Sequence, residues 1–215
     1  MSNWRDEEIE IIYWGEEEEN SIVDADKHDK NKKKKKDEIN WKKEAVSWIK
    51  LVICAVVIAL VINNFIIINA EVPTGSMHPT IQKKSRMIGF RLSYIFSEPK
   101  QGDIIIFKFP DNEEENFVKR VIATGGQTVE IKEGIVYVDG EQLDEEDYVF
   151  YAGGSPSKSD NFEKTVVPEN CYFVLGDNRN NSNDSRTWTT THFVSKDEIL
   201  GKAIFSYYPD FKILK

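Results

Sequence analysis

A serine and a lysine in this chain have the makings of a catalytic pair. Ser76 lies in the segment Val72-Pro73-Thr74-Gly75-Ser76-Met77-His78-Pro79-Thr80. Pro73 and Pro79 each fix a backbone angle and stiffen the segment. Gly75 lets another backbone approach closely. Ser76 is therefore expected on a rigid, exposed turn, with backbone N–H groups nearby that could hold an oxyanion. Taken alone, the segment reads as a turn that contains a serine. Lys119 lies in the run 117–123 (FVKRVIA). In a strand, alternate residues share a face, so Lys119 points with Phe117, Val121 and Ala123 while Arg120 points opposite. Lysine is seldom buried. On such a face it is an edge-guarding charge or a snorkelling stem. Otherwise it is an amine whose pKa falls on desolvation, so that its neutral form accepts a proton. Periodicity does not choose between these readings.

The third polar segment is Gly176-Asp177-Asn178-Arg179-Asn180-Asn181-Ser182-Asn183-Asp184-Ser185-Arg186. With no apolar side chain, it is either a plain surface loop or a dense hydrogen-bond network. Asp184 and Arg186 can pair in it, and Ser182 can hold another polar group in place. The histidines offer no rival site. His28 precedes the apolar stretch, His78 is too close to Ser76 along the chain for nucleophile–base geometry, and His192 reads as a solvated loop residue. Three scattered histidines and no closely spaced cysteines give a metal no support. No GxxxxGK[ST] or GxGxxG phosphate loop is present. No metal and no cofactor are expected.

The elements that must position these groups fall into three segments. The chain has 215 residues, 28 Lys+Arg, 37 Asp+Glu and a net charge of −9. That balance speaks against a nucleic-acid partner, which calls for a basic face. Residues 1–45 carry blocks of one sign, Glu16–Glu19 and Lys32–Lys36. Such runs repel themselves, so this part is expected to be a disordered tail. Residues 46–68 are almost wholly apolar. Twenty-three helical residues reach about 34 Å, enough for a hydrocarbon core of about 30 Å. This stretch is expected to be an uncleaved transmembrane anchor, because it is longer and later than a secretory signal core. The lysines before it place the N-terminus in the cytoplasm and residues 71–215 outside. Cys54 in the span cannot easily meet Cys171 beyond it, so both read as reduced, small hydrophobes.

Residues 71–215 change to short apolar runs between turn signals. Strands are expected over 103–109, 117–123, 128–132, 135–138, 172–175 and 203–208, with Asp139-Gly140 as a hairpin turn. Helix signal is confined to a short piece near 195–199. The fold class is therefore mainly β: one N-terminal transmembrane helix, then an antiparallel β-rich catalytic domain. The acidic, Gly/Ser-rich stretch 144–161 reads as a surface excursion. The set Met87, Ile88, Phe90, Tyr94, Ile95 and Phe96, with Arg86 and Arg91 among them, is either core or an apolar edge that touches the outer leaflet.

Together the three polar segments resemble the bacterial type I signal peptidases (leader peptidases). The nucleophile segment of that family is matched by Thr74-Gly75-Ser76-Met77-His78-Pro79-Thr80, a further strand by Gly102-Asp103-Ile104-Ile105-Ile106-Phe107, and the lysine segment by Lys119-Arg120-Val121-Ile122-Ala123. The loop matches from Gly176-Asp177-Asn178-Arg179 through Ser182, Asp184, Ser185 and Arg186. The resemblance implies a serine endopeptidase of the serine–lysine branch, in the single-anchor form typical of Gram-positive members. It would sit in a bacterial cytoplasmic membrane, with the lipid bilayer as one partner and exported preproteins with small residues at −1 and −3 as the other. Ser76 would be the nucleophile and Lys119 the general base. The Ser76 amide and the Thr74 hydroxyl, where many members have serine, would supply oxyanion donors. Ser182 would orient the lysine, and Asp184 and Arg186 would form a structural ion pair beside the site. Two rivals differ in visible ways. A soluble serine–lysine self-cleaving repressor would carry a DNA-binding domain in place of the anchor. An inactive anchored binding module would not need an intact Ser76, Lys119 and Ser182.

Overall fold

The computed structural model describes residues 41–157 and 160–215. The acidic and lysine runs of the expected tail lie outside them. Helix α1 spans Trp41–Val61 and continues as a wider turn over Ile62–Ile66. No Gly or Pro interrupts these residues, and Leu, Ala, Lys and Glu favour the helix. Among the described residues this is one helix long and apolar enough to cross a membrane. Its limits differ from the expected 46–68. Residues 41–45, assigned to the tail, form its first turn, because Lys42, Lys43, Glu44 and Ala45 are good helix formers. Ile67 and Ile68 leave it for strand β1 (Ile67–Val72), where Ile68 is buried with Val72, Met77 and Met87. β-branched residues sit well in a strand, so packing decided the boundary.

The remaining strands are β2 (Ser85–Phe90), β3 (Ile104–Phe109), β4 (Asn112–Thr124), β5 (Thr128–Lys132), β6 (Ile135–Val138), β7 (Glu141–Gln142), β8 (Phe162–Val166), β9 (Cys171–Leu175), β10 (Val194–Ser195), β11 (Ile199–Tyr208) and β12 (Lys212–Ile213). All named pairings are antiparallel. The larger sheet runs β1-β2-β11-β3-β4-β9-β10, with β12 beside β11, and the smaller runs β7-β6-β5-β8. Every expected strand is present, while β1, β2, β7, β8, β10 and β12 are additional. The Asp139-Gly140 turn joins β6 to β7 with positive φ at both residues (53° and 87°), the backbone that favours such a pair. The helical piece near 195–199 is one 3-10 turn, Lys196–Glu198, closed by a capping box on Ser195.

Three apolar clusters hold the body together. Ile68, Met77, Met87, Ile104 and Ile106 belong to the first. Val129, Val136 and Phe173 belong to the second, and Phe107, Val121, Val174 and Trp188 to the third. β4 touches both of the last two, which places Lys119 where side chains on either face are buried. The set 87–96 divides: Met87 is core, Ile88 and Tyr94 are half-buried, and Phe90, Ile95 and Phe96 are exposed. Its turn Arg91–Tyr94 packs beside Ile62–Ile66, where the helix ends.

Candidate active site

Strand β1 ends at Val72 and delivers the chain into the turn that carries Ser76. Beneath Ser76 the neighbour is Gly176, at the end of β9, which approaches the Ser76 carbonyl so closely that a side chain there would collide with it. Ser76 is buried. Its Oγ lies 2.8 Å from Lys119 Nζ, although 43 residues separate them. A charged Lys119 donates to Oγ in this pair. A neutral one accepts the hydroxyl proton through its lone pair. Thr74 Oγ1 lies 3.3 Å from the same oxygen. The sequence-predicted serine, lysine and threonine thus meet at one point.

Lys119 pairs across the strands with Ile105, and Phe117 with Phe107, so the lysine does lie on the apolar face. The Phe117 ring stands 5.1 Å from Nζ. Burial brings the Lys119 pKa down to about 8. Asp184 and Asp177 pull it upward and Arg186 pushes it down, but loss of water dominates. Among the described residues Lys119 forms no ion pair with a carboxylate, and β4 is an interior strand between β3 and β9. An edge-guarding role is therefore overturned. Ala123 does not share its face as expected. The register with β9 shifts between Val121 and Ala123, which sends Ala123 into the second apolar cluster with Ile122.

The loop 176–186 is a dense network and not a loose surface loop. Asp184 is fully buried and receives Arg186 Nε at 2.8 Å and the Gly176 N–H at 3.0 Å. Burial works to raise the Asp184 pKa, but Arg186 and the Gly176 N–H outweigh it and hold the carboxyl low. Arg186 also reaches Asp160 and donates to the Arg179 carbonyl. Ser182 Oγ is buried over Gly176 and makes no hydrogen bond to Lys119 in this arrangement. Lys119 Nζ meets Ser76 Oγ instead.

Several residues at the site escaped the sequence reading. Arg120 pairs with Asp177 at 2.8 Å through two guanidinium nitrogens and both carboxylate oxygens, almost without exposure. Arg179 pairs with Glu145, buried in the same way. Asn178 donates from its N–H to the Ser76 carbonyl at 2.9 Å and from Nδ2 to the Gly75 carbonyl at 3.0 Å. For Asp177, Asn178 and Arg179 the signal in the sequence is the apolar-free loop itself, while Arg120 and Glu145 lie outside it. The excursion 144–161 is also more than surface. Besides Glu145, its Phe150 bridges to Asn178 and its ring meets His78 edge-on at 4.8 Å. His192 is half-buried rather than solvated, with Nδ1 donating to the Ser185 carbonyl at 2.6 Å and its ring against Phe162.

Among the described residues no three His, Cys, Asp or Glu side chains gather as a metal site. The chemistry available is that of a hydroxyl beside an amine with a lowered pKa, flanked by a second hydroxyl. That suits nucleophilic attack on a carbonyl.

Comparison with known proteins adds a second line of evidence. The family model described as "Signal peptidase, peptidase S26" matches residues 45–208. The "Probable signal peptidase I-1" of Synechocystis sp. is 40% identical over 168 residues, covering 75% of this chain and 81% of that protein. The "Signal peptidase I S" of Bacillus subtilis is 35% identical over 183 residues, covering 81% and 95%. Among solved structures, a signal peptidase I from Enterococcus faecalis aligns with a TM-score of 0.37 at 31% identity, covering 49% of this chain and 97% of that one.

Proposed function

Because the chain belongs to the signal peptidase S26 family, we propose that Ser76 and Lys119 are the dyad with which it removes signal peptides from exported preproteins. The protein is a serine endopeptidase, and its apolar helix fits membrane anchoring. One observation carries the dyad: the 2.8 Å contact between Ser76 Oγ and a buried Lys119 whose pKa is drawn down to about 8. Neutral Lys119 takes the Ser76 proton as Oγ attacks the carbonyl at the end of the signal peptide. The Ser76 N–H and the Thr74 hydroxyl receive the oxyanion. The lysinium then gives its proton to the leaving amine, and water releases the acyl group. Asp184 and Arg186 hold the loop beside the amine. Ser182, with its hydroxyl buried beside the Ser76 carbonyl, accepts from the lysinium once Ser76 Oγ has turned to the substrate.

Substrate geometry follows from β1. It is the end strand of its sheet, so its outer edge can take an extended peptide as one more strand. Along such a peptide the −1 and −3 side chains face the same way. Small residues there let the main chain lie close to the wall beside Ser76. Lys42 and Lys43 ahead of the apolar core support a cytoplasmic N-terminus and a catalytic body on the outer side of the cytoplasmic membrane.

Detergent-solubilised full-length protein is expected to cut a preprotein bearing an A-x-A site after the second alanine, as read by N-terminal sequencing of the product. Ser76→Ala is the control and should cut nothing. Equal cutting by that variant, or cutting elsewhere in the preprotein, would sink the reading.

Membrane contact by the body is the companion prediction. Phe96 is 97% exposed and Ile95 59%, beside the turn that packs on the end of the helix. A nitroxide at Phe96→Cys, in a chain with Cys54→Ser and Cys171→Ser, should show in vesicles the oxygen accessibility of lipid. A label on exposed Gln142 of the smaller sheet should read as aqueous. Aqueous readings at both positions would remove this edge from the bilayer.

A further inference from the structure

We propose that Asn178 is a positioning residue that aims the Ser76 N–H at the developing oxyanion, an inference that rests on the dyad reading above. Asn178 grips the nucleophile turn at consecutive carbonyls: Ser76 O through its main-chain N–H and Gly75 O through Nδ2. The His78 N–H also donates to Gly75 O, at 3.2 Å. Gly75 O and the Ser76 N–H belong to one peptide unit. In a planar trans peptide the C=O and the N–H point in opposite directions. Holding Gly75 O toward Asn178 therefore turns the Ser76 N–H away from Asn178. That N–H donates to no acceptor among the described residues, although Ser76 is only 6% exposed. A main-chain N–H without a partner on so little-exposed a residue is rare. On a nucleophile it is the donor an oxyanion needs, already in place before charge develops.

Gly75 itself does little to fix this plane, since it lacks a side chain and nothing would lie within 4 Å of one. The restraint must come from outside the turn. Asn178 is well placed to supply it. It is 5% exposed, and its neighbours Asp177 and Arg179 are each locked in a buried ion pair, with Arg120 and Glu145. Its Oδ1, however, is buried with no partner. A side chain kept only for packing would avoid that penalty. The carboxamide is retained, on this view, for the one bond that Nδ2 makes to Gly75 O.

The test compares two peptide ligands ending at the −1 residue, an aldehyde and the matching alcohol. The aldehyde lets Ser76 Oγ bond to its carbonyl carbon, with the hydroxyl proton passing to Lys119, and puts an oxygen in the oxyanion position. The alcohol cannot. Removing a donor outright usually costs roughly 10²–10³ in rate, and misaiming one should cost less. Asn178→Ala is therefore expected to lower kcat about 10- to 100-fold, with KM and the midpoint of the pH–rate profile unchanged. Aldehyde affinity should fall by the same factor while alcohol affinity holds. Asn178→Asp, which sets a carboxylate oxygen against Gly75 O, should do at least as much harm. Both ligands report only on folded protein, so partial unfolding lowers the number of sites and not the ratio of affinities. Equal weakening of the two ligands, a change in KM alone, or a shifted pH midpoint would each overturn the inference. A wild-type protein that neither cleaves preprotein nor prefers the aldehyde would overturn the dyad reading with it.

Discussion

Lys119→Arg is expected to yield a folded, membrane-bound protein that does not cleave. The substitution keeps the positive charge and most of the length. If position 119 needed only a cation, arginine would serve nearly as well. The proposed mechanism needs a group that gives up its proton near working pH, and arginine does not. Loss of a general base typically costs about 10²–10⁴ in rate, and here the incoming guanidinium also stands where the Ser76 proton must go. The wild-type pH dependence belongs to the same argument. With the Lys119 pKa near 8, the reactive neutral form grows about tenfold per pH unit below that value. The cleavage rate should climb through neutrality and level off above about pH 8. Steady-state rates on a preprotein across pH 6–10, with circular dichroism of the variant to confirm folding, provide the measurement. A folded Lys119→Arg protein with near-normal cleavage would falsify the assignment of the base.

Gly176→Ala should be nearly as damaging, for a reason that involves no proton. A methyl group at position 176 would stand 2.5 Å from the Ser76 carbonyl oxygen and 2.7 Å from Ser182 Cβ, and would overlap Ser182 Oγ. The Ser182 hydroxyl can rotate away, although its Cβ can yield only with its backbone. The Ser76 carbonyl cannot, because it is the backbone of the nucleophile and is held by the Asn178 N–H. Relief comes only from moving the turn away from β9, and a displacement of about 1 Å can cost roughly 10² in rate. Overpacking of this kind also destabilises by about 1–3 kcal/mol. The expected result is a kcat lowered about 100-fold or more and a reduced melting temperature. Adding Ser182→Ala should not restore the rate, since it leaves the carbonyl collision in place. Full recovery in that double variant would show that the Ser182 hydroxyl was the only obstacle.

Much of the site was legible because its key residues break local rules. A lysine among Phe117, Val121 and other apolar neighbours is out of place in any strand, and Ser76 sits between two prolines. Long-range partners were not legible. Arg120 and Asp177 lie 57 residues apart, and Arg179 and Glu145 lie 34 apart, so no periodicity links them. Asn178 looked like any other polar residue in its loop. Ala123 was put on the wrong face because a register shift leaves no mark in an apolar run. β1 was hidden for a related reason. Ile66, Ile67 and Ile68 carry the same side chain, and only the packing of Ile68 against the core shows where helix gives way to strand.

The excursion between β7 and β8 has a consequence for how much this chain can vary in length. Stretches with its composition usually tolerate insertions and deletions freely. This one supplies Glu145 to Arg179, which is buried, and Asp160 to Arg186, whose side chain is little exposed, both in the loop that holds Ser182 and Asp184. Trimming it to a tight hairpin would strand a guanidinium without a counter-ion at position 179 and take one from position 186. A buried charge that loses its partner is far more costly than a pair that was never made. Any shorter or longer version of the segment must therefore still present two carboxylates at the same places, or replace both arginines at the same time. Freedom to change length should be confined to its exposed tip near Gly153 and Gly154. A peripheral loop is in this way bound by the same constraint as the residues around the nucleophile.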